Sequence, residues 1–225
     1  MYTVLLGGVV LFCFGCTKPD SADEKKPVPE AVDLGLSVKW ASWNVGAAAP
    51  QDYGYYFSWG ETAPKDKYYN IENYKWGTGE RGNVSKYSPA IDNKLILDLE
   101  DDAAYAAYGG AWRMPTEEEV LELCEATFLL RKVCKEKGVW GIRITSAKTR
   151  NSIFIPAAGS KYQSYLPQEE QAIGRYWSSS VSSISPFMAT QLVIYPSFDR
   201  TTDTVYDQGN DRFVGASVRA VQLPD

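Results

Sequence analysis

The chain has 225 residues, of which 44% are hydrophobic and 23% charged, and its formal net charge is −5. With 7 Trp, 15 Tyr and 8 Phe, this composition excludes a mainly disordered chain. It contains no cluster of basic residues, which argues against binding to the phosphate backbone of nucleic acid. The sequence also contains no histidine, which excludes Ser-His-Asp and Cys-His catalysis and histidine-ligated zinc.

The first 30 residues have the pattern of an export signal followed by a linker. Residues 4–15 are an apolar run, too short to span a bilayer but typical of a signal peptide, and they end at Gly15-Cys16. The pattern predicts a lipoprotein-type signal peptide over residues 1–16 with Cys16 as the lipidated residue; a plain secretory signal or a buried hydrophobic segment are the alternatives. Residues 17–30 are polar, with three prolines and no aromatic residue, and predict a flexible tether. A single domain is then expected over residues 31–225.

The domain opens with short strands. Leu36, Val38 and Trp40 alternate with polar neighbours, and residues 55–59 repeat the pattern, so each stretch predicts a short strand with one buried face. Residues 61–94 are rich in turn-forming residues and predict loops.

Two helices are expected in the middle of the chain. Residues 99–110 begin with acidic residues and end in a Gly pair, as helix-capping rules require. The second helix follows Pro115, where Thr116 and Glu119 form a capping box, and it is expected to end near Ala126. Arg113, just before this helix, is expected to be a buried ion-pair partner.

The rest of the chain is expected to be mainly strands. Residues 127–134 and 139–145 predict a hairpin, and residues 151–156 predict a further strand. Strand candidates in the C-terminal third are residues 176–180, 189–195 and 213–221, with a long polar loop over residues 196–212. Strands, then two helices, then strands is an α+β pattern.

Six blocks in this order carry a resemblance to a known family. They read VDLGLSVKWASWNVGA, DYGYYFSWGET, EDDAAYAAYGGAWRMPTEEE, NSIFIPAAGS, GRYWSSS and VGASVRAV. Over residues 32–221 the chain resembles the Fibrobacter succinogenes major paralogous domain family, which is abundant in Bacteroidetes lipoproteins. The resemblance implies a C-type-lectin-like fold, with two helices, a small twisted, mostly antiparallel sheet, and paired N- and C-terminal strands. It does not name a ligand, because this fold hosts unrelated functions.

The resemblance also suggests where a ligand would bind. In the retroelement variable proteins, which share the lectin-like fold, the C-terminal part displays the ligand-contacting residues. By that analogy the candidate ligand contacts are Tyr176, Ser182, Ser183, Ser185, Arg200, Asp203, Tyr206, Asp207, Asn210 and Arg212. Polar groups with a few Tyr and Arg suit a binding face, although an ordinary solvated loop would have the same composition.

Aromatic residues concentrate between residues 53 and 76. Phe57 and Trp59 are expected in the core, whereas Tyr68, Tyr69 and Tyr74 fall in a predicted loop and are candidate surface contacts for sugars or proteins. The alternative is that these tyrosines also fill the core.

Neither the acidic residues nor the cysteines indicate a cofactor. Residues 100–102, Glu-Asp-Asp, lack a calcium-loop spacing and are better explained as charges at a helix N-terminus, and the aspartates of residues 199–211 are an equally weak calcium signal. The formylglycine-generating relatives use a cysteine pair in the C-terminal part, but no cysteine follows Cys134 here, so that activity is expected to be absent. Cys124 and Cys134 are expected to form either a disulfide or two buried thiols.

The sequence thus predicts a non-catalytic lipoprotein anchored in the outer membrane. Its monomeric domain would bind a glycan or protein ligand through C-terminal loops, without a metal, a cofactor or nucleic acid. One alternative is a structural or adhesion subunit of a surface assembly. Another is a polysaccharide hydrolase, which would need two carboxylates roughly 5–10 Å apart across a cleft.

Overall fold

The computed structural model describes residues 27–66, 68–80, 82–163, 173–196 and 204–224. The predicted signal peptide, Cys16 and most of the predicted tether lie outside these ranges. The described residues form two α-helices and three small antiparallel sheets, a mixed α+β architecture that is mostly β. The α+β prediction is therefore confirmed, but with three small sheets instead of one.

The helices are short and the strands vary in length. The α-helices are α1, Ala103–Tyr108, and α2, Glu117–Glu125, and 3-10 helices lie at Ile71–Asn73 and Leu99–Asp101. The strands are β1 Ala31–Val32, β2 Lys39–Ala41, β3 Leu129–Glu136, β4 Val139–Ser146, β5 Ser152–Pro156, β6 Gly174–Val181, β7 Met188–Ile194, β8 Thr204–Asp211 and β9 Val221–Gln222. No helix among these residues is long and apolar enough to cross a membrane.

The first sheet joins the two ends of the domain. Its strand order is β1-β2-β9, and Trp40 of β2 lies opposite Val221 of β9. The pairing of N- and C-terminal strands that the resemblance implied is therefore present.

The second sheet, β3-β4-β5, is a hairpin extended by one strand. Lys137 and Gly138 form the turn, both with positive φ (46° and 88°), as a tight hairpin turn requires. The predicted hairpin is confirmed, although β3 begins two residues later than expected and continues to Glu136.

The third sheet, β6-β7-β8, lies between two hydrophobic cores. Trp177 and Val181 of β6 belong to a core formed with Trp59, whereas Tyr176 packs in a second core around Trp40. Helix α2 also contacts all three strands of this sheet. Burial on both faces explains why β6 and β7 carry long, nearly uninterrupted buried stretches.

Two predictions for the C-terminal third are wrong. The polar stretch 196–212 contains a strand, β8, at the edge of the third sheet, where polar side chains are tolerated because one side of the strand is not covered by a further strand. Residues 213–220, predicted as a strand, have irregular backbone with isolated bridges at Gly215, Ala216 and Ser217. Their apolar side chains are buried because this segment runs through the first core.

The first predicted helix is divided in two by Asp102. This residue has an extended backbone (φ −91°, ψ 116°), and its carboxylate accepts hydrogen bonds from the backbone N–H groups of Ala104 and Tyr105. It therefore caps α1 instead of continuing a helix from residue 99. The second helix agrees with its prediction, since Thr116 and Glu119 form the expected capping box. Arg113 makes the expected ion pair, with Glu119 at 2.5 Å, but its side chain is half-buried and not buried as predicted.

Candidate functional site

A cleft of about 450 Å³ lies beside the third sheet. We call it the Tyr162 cleft, and its principal lining residues are Ser160, Tyr162, Arg175, Asn210, Asp211 and Phe213. Arg175 comes from β6, and Asn210 and Asp211 end β8. The cleft therefore combines a rigid sheet with two connecting segments, a common construction for binding sites.

The two connecting segments are held together by backbone hydrogen bonds. The N–H of Lys161 donates to the carbonyl of Gly215 at 2.7 Å, and the N–H of Gly215 donates back at 2.8 Å. Position 215 requires glycine because a Cβ there would lie 2.5 Å from the Tyr69 ring. These backbone bonds fix the segment that carries Tyr162 relative to the segment that carries Phe213.

The aromatic wall of the cleft consists of two rings. Tyr162 is 49% exposed, and its ring centroid lies 6.0 Å from that of the buried Phe213, with the planes tilted by 44°. Phe213 is itself held in place because its carbonyl accepts a hydrogen bond from Ser58 Oγ at 2.9 Å. An exposed ring supported by a buried one is a rigid apolar surface.

The polar wall is organised by Gln191 of β7. Its buried Oε1 accepts hydrogen bonds from Arg175 Nη1 at 3.3 Å and from Asn210 Nδ2 at 3.4 Å. Asn210 Oδ1 in turn accepts from the backbone N–H of Asp211 at 2.9 Å. Within the described ranges, Gln191 Nε2 has no hydrogen-bond acceptor. Gln191 thus holds together a guanidinium and an amide that line one cleft.

Of the predicted ligand contacts whose side chains the structure describes, one lies in this cleft, namely Asn210. Ser183 is exposed and Ser185 half-buried, and both line a different cleft together with Ser182. Tyr206 is half-buried, and its hydroxyl donates to Glu117 Oε1 at 2.5 Å.

Three further predicted contacts have side chains outside the described part of the chain. Arg200 and Asp203 lie outside the described residues, and so does the side chain of Asp207, although its backbone belongs to β8.

The predictions that Tyr176, Ser182 and Arg212 contact a ligand are wrong, because all three side chains are buried. The Tyr176 hydroxyl donates to the carbonyl of Pro156, and burial raises the pKa of this phenol to about 12. Ser182 Oγ accepts a hydrogen bond from the N–H of Ile184. Both hydrogen bonds are internal to the fold.

Arg212 has a structural role in place of the predicted binding role. Its guanidinium carbon lies 4.3 Å from the centroid of the Trp59 ring, and the group donates to the carbonyls of Lys86 and Tyr87 at 3.1 and 2.8 Å. Burial lowers its pKa, because the charged form loses its hydration.

For two of the three candidate surface tyrosines, the prediction of exposure is also wrong. Tyr69 and Tyr74 are buried, and their hydroxyls donate to the carbonyls of Tyr56 and Trp59 at 2.5 and 2.9 Å. A loop position did not expose them, because the loop folds back over the first core. Tyr68 is exposed, as predicted.

The sequence interpretation missed Tyr162, Arg175 and Gln191. The one local signal was Gln191, a single amide inside the apolar strand ATQLVIY. A buried amide needs partners, and here those partners line the cleft. Tyr162 gave no signal, because nothing in its neighbourhood distinguishes an exposed tyrosine from a buried one.

The acidic residues before α1 form ion pairs with lysines. Asp98, Glu100 and Asp101 have carboxylate oxygens within 4.8 Å of one another. Lys86 Nζ lies 2.6 Å from Asp101 and 3.1 Å from Glu100, and Lys94 lies 2.6 Å from Asp98. Ammonium groups therefore occupy the position that a cation would take.

The two cysteines in the described part of the domain are half-buried and form no disulfide with each other. The sequence left open a disulfide or two buried thiols, and in the structure both cysteines are free thiols.

A buried Ser-Lys-Glu group is the nearest approach to a catalytic arrangement. Lys65 Nζ donates to Ser58 Oγ at 2.9 Å and to Glu61 Oε1 at 2.7 Å, and burial lowers the pKa of Lys65. However, Ser58 is buried and already donates its proton to the Phe213 carbonyl. A nucleophile would instead donate to its base and face a substrate, so this group stabilises the segment 58–65 next to Phe213.

The Tyr162 cleft also lacks the pair of acids that the hydrolase alternative needs. Asp211 is the one carboxylate among the described residues that line it. Glycoside hydrolysis uses two carboxylates on opposite sides of the bond.

Comparisons of this chain with protein-family models, with curated proteins and with solved structures gave no match. The class that the structure defines is accordingly a mixed α+β domain with two α-helices and three antiparallel sheets. The lectin-like fold and the resemblance to the major paralogous domain family remain expectations that rest on the sequence blocks.

Proposed function

We propose that the chain is a non-catalytic, lipid-anchored protein of the cell envelope whose domain binds a glycan in the Tyr162 cleft. The observation that carries this proposal is the combination, in one cleft of about 450 Å³, of the half-exposed Tyr162 ring with a guanidinium and an amide held by Gln191.

A sugar matches both walls of the cleft. Its C–H face is apolar and packs on an aromatic ring, while its ring hydroxyls both donate and accept hydrogen bonds in fixed directions. Arg175 supplies donors, Asp211 supplies acceptors, and Asn210 can supply either. The volume lies within the range of about 300–1,000 Å³ typical of small-ligand sites, which suits a monosaccharide or disaccharide unit.

A protein ligand is the second candidate for this cleft. Planar polar groups and a tyrosine also suit protein contacts. The concave shape and the small number of exposed apolar groups favour the glycan.

The membrane anchor is proposed from the sequence. Cys16 would carry the lipid, residues 17–30 would form the tether, and the domain would stand clear of the outer membrane as a monomer. The resemblance to a family abundant in lipoproteins supports this arrangement.

The test is a glycan-array screen of the mature chain without the lipidated cysteine, residues 17–225, beside two variants. We expect Tyr162→Ala to weaken binding to array glycans by about tenfold, which corresponds to about 1.4 kcal/mol. Tyr68→Ala removes another exposed tyrosine and is the matched control, with binding expected to be unchanged. Equal binding by the two variants would contradict the assignment of the cleft, and the absence of any bound glycan would contradict the proposed function.

A further inference from the structure

A second cleft, of about 500 Å³, lies at the opposite side of β6 from β7, and three of its lining side chains are large, aliphatic and exposed. We call it the Ile184 cleft. Leu95 and Ile96 are each 50% exposed and Ile184 is 63% exposed. Single exposed aliphatic residues are common, but three around one cleft mark an interaction surface.

The backbone of residues 95–97 extends the third sheet by a short edge. The N–H of Leu97 donates to the carbonyl of Ser179 at 3.0 Å, and the N–H of Val181 donates to the carbonyl of Leu95 at 2.8 Å. Ile96 lies between these two bonds, opposite Ser180 in an antiparallel bridge.

The geometry of this bridge leaves one donor and one acceptor open. Successive residues of a strand direct their N–H and C=O groups to opposite sides. Because residues 95 and 97 bond to β6, the N–H and C=O of Ile96 point away from the sheet. Among the described residues, neither group has a hydrogen-bond partner. An open strand edge of this kind is a template for a further strand.

The rim of the Ile184 cleft is acidic. Glu117 and Glu118 line it from the first turn of α2. Glu117 accepts the hydrogen bond from Tyr206, whereas Glu118 is exposed and makes no ion pair with any residue in the described ranges. A basic group on a partner would therefore find a carboxylate that is not already neutralised.

We propose that this edge binds an extended segment of a partner protein, which adds to the third sheet beside Ile96. The backbone of the segment pairs with the N–H and C=O of Ile96. An aliphatic side chain of the segment lies between Leu95, Ile96 and Ile184, and a Lys or Arg faces Glu118. Binding by strand addition takes affinity from main-chain bonds and specificity from the side-chain pocket.

A partner protein fits this edge better than a second copy of the chain. A two-fold pairing of two copies places the same surface on both sides of the interface. Two acidic rims would then meet, which opposes association. The inference is independent of the glycan proposal, because the two clefts share no lining residue.

The test uses a fluorescent heptapeptide of alternating Val and Lys, titrated into the mature chain and followed by fluorescence anisotropy. In the extended form this peptide presents valines on one face and lysines on the other. We expect it to bind at least about tenfold more tightly than an alternating Val-Glu peptide, which reverses the charge. It should also bind at least about tenfold more tightly than a Val-Lys peptide in which every second amide is N-methylated.

Three substitutions test whether the peptide binds in the Ile184 cleft, and each should weaken peptide binding. Ile96→Pro removes the open N–H without removing a bond of the sheet, and Pro is tolerated at such an edge position; we expect at least about a tenfold loss of peptide binding. Glu118→Gln should weaken binding several-fold, whereas Glu125→Gln, an exposed glutamate at the other end of α2, should not. Ile184→Ser should weaken binding, whereas Leu130→Ser, at an equally exposed leucine, should not.

Several results would overturn the proposal. These are equal binding of the N-methylated peptide, unchanged binding by Ile96→Pro, or no binding of the Val-Lys peptide up to millimolar concentration. A dimer of the chain that Ile96→Pro dissociates would identify a second copy as the occupant, against the proposal. If Ile96→Pro does not fold, as judged by circular dichroism, the N-methylated peptide and the two matched pairs decide the question.

Discussion

Arg219 is fully buried and joins three segments of the chain. Its Nε donates to Asn44 Oδ1 at 2.9 Å, and its two terminal nitrogens donate to the carbonyls of Ala41 and Phe154 at 3.0 and 2.9 Å. Burial lowers the pKa of this guanidinium to about 10. A planar group with several donors can satisfy these separated acceptors at once, as Lys cannot.

Arg219→Met should therefore destabilise the fold strongly. The substitution keeps most of the volume but leaves three buried acceptors without a donor, at a cost of about 1–3 kcal/mol each before relaxation. We expect a loss of about 2–5 kcal/mol in the free energy of unfolding, measured by urea denaturation. Arg143→Met, which breaks a partly exposed pair with Glu136, should cost no more than about 1 kcal/mol. Equal losses from the two substitutions would contradict this account of Arg219.

Both carboxylate oxygens of Asp102 also accept hydrogen bonds inside the fold. Its Oδ1 accepts from the N–H groups of Ala104 and Tyr105 at 2.8 and 3.0 Å, and its Oδ2 accepts from the N–H of Met114 at 2.7 Å. Burial raises the pKa of the carboxyl, while the hydrogen bonds from these three backbone groups lower it.

Asp102→Asn tests this arrangement with a nearly isosteric change. An amide can still cap α1 through its oxygen, but its NH₂ group would face the Met114 N–H, and two donors repel. We expect a loss of about 1–3 kcal/mol in the free energy of unfolding. Glu100→Gln, at an exposed position in the preceding turn, is the control. If Asp102→Asn proves as stable as the control, the hydrogen bond from the Met114 N–H does not contribute to the free energy of unfolding.

At the scale of elements, the ion pairs around residues 98–101 join two loop segments to the turn before α1. Lys75 and Lys86 contact Asp101 at 2.8 and 2.6 Å. Burial alone would raise the pKa of Asp101, but hydrogen bonds from Lys75, Lys86 and Tyr87 hold it below its usual range.

This lowered pKa predicts acid sensitivity of the fold. A carboxyl whose pKa is lower in the folded state contributes stability above its unfolded value, about 3.9, and loses it as the pH falls through the folded pKa. The urea midpoint should therefore decrease as the pH falls below about 5, and Asp101→Asn should make that decrease smaller. An identical decrease in Asp101→Asn would show that other carboxyls cause the acid sensitivity.

The elements that the sequence predicted well are those with a local signal. Helix α2 has its capping box at Thr116, and the β3-β4 hairpin has its turn at Lys137-Gly138. Strand β8 had no such signal, because it is polar and its place at the sheet edge depends on β7. The buried segment 213–220 was mistaken for a strand because burial in the core, and not strand pairing, accounts for its apolar residues.

At the scale of the whole molecule, the sequence located the candidate site only approximately. The C-terminal part does contribute to the Tyr162 cleft, through Asn210, but Arg212 and Tyr176 are core residues. Whether a polar residue lines the cleft or lies in the core depends on long-range packing. A single amino-acid sequence does not show that packing. A test of the binding site that replaces Arg212 would therefore measure unfolding and not recognition.

Glycan binding should not depend on calcium. The acidic residues at 98–101 are paired with lysines and do not line the Tyr162 cleft. Adding EDTA to a glycan titration of the mature chain should leave the affinity unchanged within about twofold, less than 0.5 kcal/mol. A loss of binding that calcium restores would show that a cation takes part in recognition.

The most direct measurement is chemical-shift mapping of a bound sugar on the mature chain, using two-dimensional amide spectra recorded through a titration. The account predicts that saturable shift changes are concentrated at the backbone amides of Arg175, Asn210 and Phe213, and that those of the Ile184 cleft stay unchanged. Saturable changes centred elsewhere, with these three amides unaffected, would contradict the assignment of glycan binding to the Tyr162 cleft.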